Sequence, residues 1–373
     1  MAWAEPNYSV REVNAAAKKV IELAGRYESP GWSDGDATLF NRCIMIINNW
    51  RACHGYPLNT FQNNLRRSAK KIDSSSLIAQ RTKRLVSIAS KLQLQPRMKL
   101  TQMQDIGGCR AVMRSVLGVH RLDRFYTKQS DIKHVLASRD DYIESPRKTG
   151  YRGIHLVYRY FSDKKTGAKY NGLKIEMQLR SQYQHAWATT VETVGTFIGE
   201  PLKSDSGPEE WRRFFALMGS VIALRERTSL VPDTPTDQQQ LIEQLHESST
   251  DLNVLHLLKG FADTLRKVEE APEQAHYYLL RLDPGASQLT VTGFKQEEFE
   301  KAQQAYSEAE QQVKEHPGTD AVLVSVDSLA VLPRAYPNYF ADTRVFVRLL
   351  EQALSGRPKR IFTGQLKLDA VSS

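Results

Sequence analysis

Lys174-Ile175-Glu176-Met177-Gln178-Leu179-Arg180 is the stretch on which the reading of this chain turns. Polar and apolar residues alternate through it without a break. An extended strand therefore places Lys174, Glu176, Gln178 and Arg180 on one face and Ile175, Met177 and Leu179 on the other. The second face belongs against a core. The first, with a carboxylate, an amide and two cations, belongs to a lined cleft.

Outward from this strand, residues 109–114, 132–137 and 153–160 are further short strand candidates, and residues 116–128 read as a helix between the first two. Helical spacing returns at 182–199 and 209–227. Before the strands the pattern is helical. Ser9 and Glu12 form a capping box ahead of Val10, Val13, Ala16, Ala17, Val20 and Leu23, a turn-rich stretch at 28–36 ends that run, and 39–50, 58–71 and 77–92 read as helices. Pro232, Asp233 and Pro235 mark a linker at 231–237. Beyond it lie helices at 238–247 and 252–271, strands at 276–282, 289–294 and 321–326, a helix at 296–315, a last helix at 343–354, and a polar basic end. The expected fold class is α/β (α+β), a mixed sheet flanked by helices, followed by a smaller C-terminal α+β region.

The bulk properties narrow the function. The chain has 373 residues, 41% of them apolar and 25% charged, which suits a globular protein of two domains. It has no apolar run of the ~18 residues that spans a bilayer, and Met1–Tyr8 lack a signal-peptide pattern, so a cytoplasmic location with no membrane partner is expected. Cys43, Cys53 and Cys109 have no metal-type spacing and no cysteine follows them, which argues against zinc; reduced, buried thiols are expected. The net charge of +9 is concentrated: residues 66–110 hold eleven Lys and Arg against Asp73 and Asp105. Such a surface suits a polyphosphate or a nucleic-acid backbone, and equally a solvated face.

Four segments carry residues of chemical interest. In Arg81-Thr-Lys83-Arg84-Leu-Val-Ser87-Ile-Ala-Ser-Lys91, helical geometry puts Arg84, Ser87 and Lys91 on one side, with Arg81 and Lys83 at the start of the same helix; the pattern fits a triphosphate or an ordinary amphipathic helix. Asp105-Ile-Gly107-Gly108-Cys-Arg110 can set a carboxylate at a sheet edge with backbone room for a ligand, and is also a common turn. Arg147-Lys148-Thr-Gly150-Tyr151-Arg-Gly-Ile-His155 is a cationic loop that can offer Tyr151 for stacking on a base, or a hairpin whose Tyr packs on its neighbour. The fourth is residues 174–180 with Gln184-His185-Ala-Trp187, where His185 and Trp187 read as packing residues.

In this order the four segments resemble the synthetase domain of RelA/SpoT homologues over residues 58–199. No stretch resembles the hydrolase domain of the long members. The resemblance implies transfer of pyrophosphate from ATP to a ribose hydroxyl. It implies ATP contacts at Arg81, Lys83, Ser87, Lys91 and Arg110, and Mg²⁺ on Asp105 and Glu176, with Glu176 also orienting or deprotonating the acceptor. Tyr151 would stack on the acceptor base, with His155, Gln178, Arg147 and Lys148 around it. Arg147-Lys148-Thr149 stands where many alarmone synthetases have Lys-Pro-Asn.

Outside the core, Tyr8-Ser-Val-Arg-Glu-Val-Asn14, Asn48-Asn-Trp-Arg51, Val191-Glu-Thr-Val-Gly-Thr-Phe197, Ser325-Val-Asp-Ser-Leu329 and Tyr336-Pro-Asn-Tyr339-Phe resemble the toxic small alarmone synthetases, in particular the CapRel-type fused toxin–antitoxin branch of phage defence. That resemblance implies an acceptor at the 3′-CCA end of tRNA, with Arg66, Arg67, Lys70 and Lys71 as tRNA-binding surface. It also implies a zinc-finger-like antitoxin domain without zinc, whose Tyr336 and Tyr339 shield the ATP site, and a phage protein such as a major capsid protein as trigger. The corresponding domains are 1–57, an N-terminal helical part of the toxin; 58–230, the synthetase; 231–271, a helical linker; and 272–373, the antitoxin and sensor. A (p)ppGpp-type synthetase acting on GDP or GTP is the alternative.

Overall fold

The computed structural model describes residues 3–26, 32–129, 132–198, 202, 207–264, 266–271, 275–283, 285–286, 288–315, 319–326, 328–340 and 343–355. Residues 27–31, of which 28–31 belong to the expected break, and the basic end beyond residue 355 lie outside them. In chain order the elements are α1 (Val10–Ala24), α2 (Asp34–Cys53), α3 (Gly55–Ile72), β1 (Leu77–Thr82), α4 (Leu85–Leu94), β2 (Gly107–Met113), α5 (Val116–Arg124) and β3 (Val135–Asp141). There follow β4 (Ile154–Arg159), α6 (Lys165–Ala168), β5 (Lys174–Ser181), α7 (Gln182–Ile198), α8 (Glu209–Glu226), α9 (Gln238–Asp251) and α10 (Val254–Thr264). The last are β6 (Arg266–Glu270), β7 (Tyr277–Asp283), β8 (Gln288–Phe294), α11 (Phe299–Glu315), β9 (Asp320–Ser325), α12 (Leu332–Ala335) and α13 (Arg344–Leu354). The mixed α+β class is as expected.

Two compact units form, each from several chain segments. The first takes residues 1–140, 154–179 and 266–335. Its sheet runs β3-β4-β5-β2-β1-β9-β7-β8-β6. β1 pairs antiparallel with β2 from Leu77↔Val112 to Thr82↔Gly107, and with β9 through Gln80↔Ser325 and Arg81↔Val324. β6 runs parallel to β8, which makes the sheet mixed. On one side α1 buries Val13, Ala17 and Val20 with Ile44 and Ile47 of α2 and Leu85, Ile88 and Leu92 of α4. The capping box that starts α1 is formed, with Ser9 and Glu12 bonding each other's backbone amides. Tyr277, Phe299, Tyr306 and Leu323 make a second cluster beneath α11.

Two helical expectations are corrected here. Residues 77–82, read as the first half of a helix, form β1, so Arg81 lies on a strand and α4 begins only at Leu85. Three successive β1 residues, Ile78, Ala79 and Gln80, are buried, which removes the alternation that marks a strand. The expected helix at 252–271 holds only over α10: Asn253, at φ 47°, separates α9 from α10, and residues 266–270 pair with β8 as strand β6.

The second unit takes residues 141–153, 180–265 and 336–373. Its core joins Trp187 of α7, Trp211, Phe214 and Phe215 of α8, Leu241 and Leu245 of α9, and Phe346 and Leu350 of α13. The loop bearing Gly150 lies against the middle of α8, where the Trp187 indole N–H also donates to the Phe215 carbonyl at 2.8 Å. A Cβ on Gly150 would meet that carbonyl oxygen at 2.6 Å, and one on Gly219 would meet the Gly150 backbone at 2.9 Å. Gly150 also has φ +96°, a conformation other residues avoid. Two backbones touch here because neither position carries a side chain, and this seats the residue that follows, Tyr151.

Gly150→Ala is expected to cost about 2–4 kcal/mol, combining left-handed backbone strain with a steric clash. Urea unfolding of the variant beside the parent checks this; a midpoint equal to the parent's would contradict the contact.

Candidate active site

In the first unit, β1, α4 and β2 bring one group of the expected residues together. Lys83 follows β1, and its amide donates to the Ile106 carbonyl at 2.8 Å, which holds the chain beside the Asp105 turn. Asp105 then receives two ammonium groups, Lys83 Nζ on Oδ2 at 2.7 Å and Lys91 Nζ on Oδ1 at 3.0 Å. Burial pushes the Asp105 carboxyl up, but the two ammoniums outweigh it and hold the group at about 2. Burial likewise draws Lys83 below its ordinary value, against the pull of Asp105.

Arg81 stands directly across from Gly108, and Ala79 from Arg110. On β2 the residues alternate, so Gly108 shares a face with Arg110. A Cβ on Gly108 would meet nothing nearer than the Glu176 carbonyl oxygen at 4.0 Å, whereas one on Gly107 would strike Ile175 at 2.9 Å. Gly107 is thus required by packing on the core side. Gly108 leaves open space on the side of Arg81 and Arg110. Arg110 donates to the Ala335 carbonyl at 2.5 Å, and Arg84 is ion-paired with Asp320.

Glu176 is set by β4 and β5 of the same sheet. His155 stands opposite Gln178 in the β4–β5 ladder. The His155 Nδ1–H donates to Glu176 Oε1 at 2.9 Å and the Gln178 amide to Oε2 at 2.7 Å, so both carboxylate oxygens are fixed. Burial raises the Glu176 carboxyl, the His155 bond lowers it, and the negative charge of Asp105 raises it again; the net displacement is downward. His155 and Gln178, expected beside an acceptor, therefore orient Glu176 here.

Two carboxylates, one before β2 and one on the neighbouring β5, sense each other's charge beside an open glycine face. This is a donor set of hard oxygens that fits Mg²⁺. Cys43, Cys53 and Cys109 are buried free thiols, as expected. Burial raises all three, Cys53 to about 12.

In the second unit, Tyr151 is positioned by two neighbours. Its hydroxyl accepts from Arg180 at 2.8 Å, whose guanidinium also lies 5.1 Å from the ring centre, and Tyr142 approaches edge-on at 5.7 Å. Arg147 bonds the Tyr142 hydroxyl at 2.7 Å, while Lys148 pairs with Asp233 at the surface. Arg152 was not anticipated as a site residue. Its guanidinium is buried and donates to Thr228 Oγ1 at 2.5 Å and the Ile143 carbonyl at 3.2 Å, tying down the loop that presents Tyr151. Arg180 was legible as a member of the polar face of residues 174–180, but its bond to Tyr151 was not.

Arg66, Arg67, Lys70 and Lys71 are gathered on α3, where with Asn63 they line a pocket of about 520 Å³. Tyr336 and Tyr339 are both buried, and the Tyr339 amide closes a turn onto the Tyr336 carbonyl. None of the described helices is long and apolar enough to cross a membrane.

Residues 80–194 match the family model described as the region found in RelA / SpoT proteins. Over 111 residues it is 29% identical to GTP pyrophosphokinase YjbM of Bacillus subtilis (strain 168), a match covering 29% of this chain and 51% of that protein. The chain thus spans about half the length of that curated relative. Two solved structures are similar. Small alarmone synthetase 1 of B. subtilis bound to its product pppGpp has TM-score 0.41 and 19% identity over 48% of this chain and 94% of its own. A GTP pyrophosphokinase family protein of Streptococcus pneumoniae has TM-score 0.38 and 22% identity over 46% and 85%.

The depressed Asp105 has a consequence for folding. A carboxylate held at about 2 against an ordinary 3.8 contributes stability that is complete above pH 4 and disappears as pH falls towards 2. That contribution is about 2 kcal/mol. Asp105→Asn should remove it, so that parent and variant lie furthest apart above pH 4 and converge by pH 2. Urea titrations across this range check the sign, and a constant difference would contradict it.

Proposed function

We propose that the protein is an ATP pyrophosphotransferase of the RelA/SpoT type whose acceptor is the 3′-CCA end of tRNA. The observation that carries the transfer chemistry is the pair of oriented carboxylates beside the open Gly108 position, edged by cations. Lys83, Lys91, Arg81, Ser87 and Arg110 hold ATP and its phosphates. The acceptor hydroxyl attacks the β-phosphorus, the bond from the β-phosphorus to the oxygen it shares with the α-phosphorus breaks, and AMP leaves. Glu176 receives the hydroxyl proton, with His155 and Gln178 keeping its oxygens aimed. Such transfers depend on in-line placement and charge neutralisation rather than covalent catalysis. Mg²⁺ on Asp105 and Glu176 supplies part of that neutralisation.

Tyr151 stacks on the acceptor base in this reading, with Arg147 and Lys148 nearby for phosphate. The preference for tRNA rests on Arg66, Arg67, Lys70 and Lys71: a stem needs a positive surface where a free nucleotide needs only a pocket. The names of the relatives support a second reading, transfer to GDP or GTP.

We further propose that residues 272–373 form the antitoxin and sensor, following a synthetase at 58–230, a helical linker at 231–271 and the helical part at 1–57. Supporting a brake, two cations of the donor segment are engaged from this region, Arg110 by the Ala335 carbonyl and Arg84 by Asp320. Tyr336 and Tyr339 follow at once in the chain. A phage protein, for which a major capsid protein is one candidate, is the proposed trigger.

Transfer from γ-labelled ATP to tRNA, GDP and GTP tests the acceptor. Label on tRNA that requires an intact 3′ end supports the first reading, and label on GDP or GTP the second. Asp105→Asn and Glu176→Gln should each lower kcat by about 10²–10³. Tyr336→Ala with Tyr339→Ala, and separately Asp320→Asn, should raise transfer. Both variants folded and no more active than the parent would refute the brake.

A further inference from the structure

The corner from Lys83 to Leu85, where β1 hands over to α4, is gripped from both sides by a buried ion pair. Arg51 of α2 and Glu310 of α11 meet through two bonds, Nη1–Oε2 at 2.8 Å and Nη2–Oε1 at 3.0 Å, and only 3% and 5% of their surfaces are exposed. Arg51 Nε donates to the Lys83 carbonyl at 3.0 Å, while Nη1 and Nη2 also reach Asn48 Oδ1 and the Tyr306 hydroxyl. Glu310 Oε1 takes the Leu85 amide at 2.8 Å. That amide is the first of α4, whose own N-cap, Arg84, provides no side-chain cap. The Tyr306 hydroxyl donates to the same oxygen at 2.9 Å.

We propose that the Arg51–Glu310 pair is a positioning clamp for the donor site. By holding the carbonyl of Lys83 and the amide of Leu85 at once, it fixes the direction in which the Lys83 side chain leaves the backbone and the angle at which α4 presents Ser87 and Lys91. This rests on the reading that those residues bind ATP. The later part of the chain thereby acts on the donor site in two ways. Asp320 and Ala335 engage its cations, and Glu310 keeps it in shape.

A buried ion pair that served stability alone would be replaceable by apolar residues of similar volume, whereas loss of one partner strands a charge. The test uses full-length parent, Glu310→Gln, and the double variant Arg51→Met with Glu310→Met. Thermal unfolding, binding of a non-hydrolysable ATP analogue, transfer kinetics and amide hydrogen exchange are measured on each. The clamp requires the double variant to unfold near the parent's temperature yet bind the analogue about tenfold more weakly, as for a lost helix cap. The acceptor KM should stay within about twofold of the parent's, and exchange should quicken at residues 83–88 while the sheet remains protected. A double variant with parental analogue affinity and parental exchange would overturn the proposal.

If the double variant does not fold, Glu310→Gln decides: faster exchange confined to residues 83–88 supports the clamp, and unchanged exchange there refutes it. A parent that binds no ATP analogue would defeat the donor-site reading instead, and the exchange at 83–88 would still report whether the pair holds the corner.

Discussion

The backbone hydrogen bonding of β1 is the constraint on which the first unit rests. One edge of this strand pairs with β2, which brings Asp105 to Lys83 and sets Arg110 across from Ala79, and the other pairs with β9, drawn from the far end of the chain. Because both edges are satisfied, β1 lies inside the sheet and its side chains have fixed directions. Arg81 faces Gly108 because the register demands it. Lys83 leaves the sheet at a point set by its amide bond to Ile106. The site is thus an outcome of strand pairing before it is an arrangement of side chains.

Electrostatics then sharpens what pairing places. A concentration of Lys and Arg in residues 66–110 would repel itself if left unmatched. Asp105 is held far below its usual pKa because it answers two lysines, Asp320 answers Arg84, and the Ala335 carbonyl takes Arg110. Each of these cations is therefore oriented by an internal anion or dipole. An incoming polyphosphate would exchange those partners rather than order loose side chains, which keeps the entropy cost of binding low.

Much of this was legible. The alternation of residues 174–180 identified β5 and its two faces, and the Ser9–Glu12 pair identified the start of α1, because both signals are local and periodic. β1 was misread for a physical reason: a strand buried on both faces has no period-two pattern, and its apolar residues ran into those of α4 without a proline or glycine between them. β6, Arg-Lys-Val-Glu-Glu, is polar at all but one position and owes its conformation to β8 rather than to its own propensities. The Arg51–Glu310 pair spans 259 positions, and nothing near either residue announces the other. The sequence marks His155 and Gln178 as polar residues on short strands, but that they orient Glu176 depends on the β4–β5 register, which a single strand does not contain.

The pairing of β1 with β9 also has a meaning in time. β9 begins about 240 residues after β1 ends. At an elongation rate of 5–20 residues per second, the strand waits roughly 10–50 s on the ribosome before its second neighbour exists. Through that interval it is an open edge within a growing sheet, with unpaired amides and carbonyls able to recruit another chain. Arg81 lies on that edge and Lys83 and Arg84 follow directly after the strand, where their charges would repel like copies. The same charges that meet Asp105 and Asp320 in the finished protein would thus guard the nascent one from its neighbours.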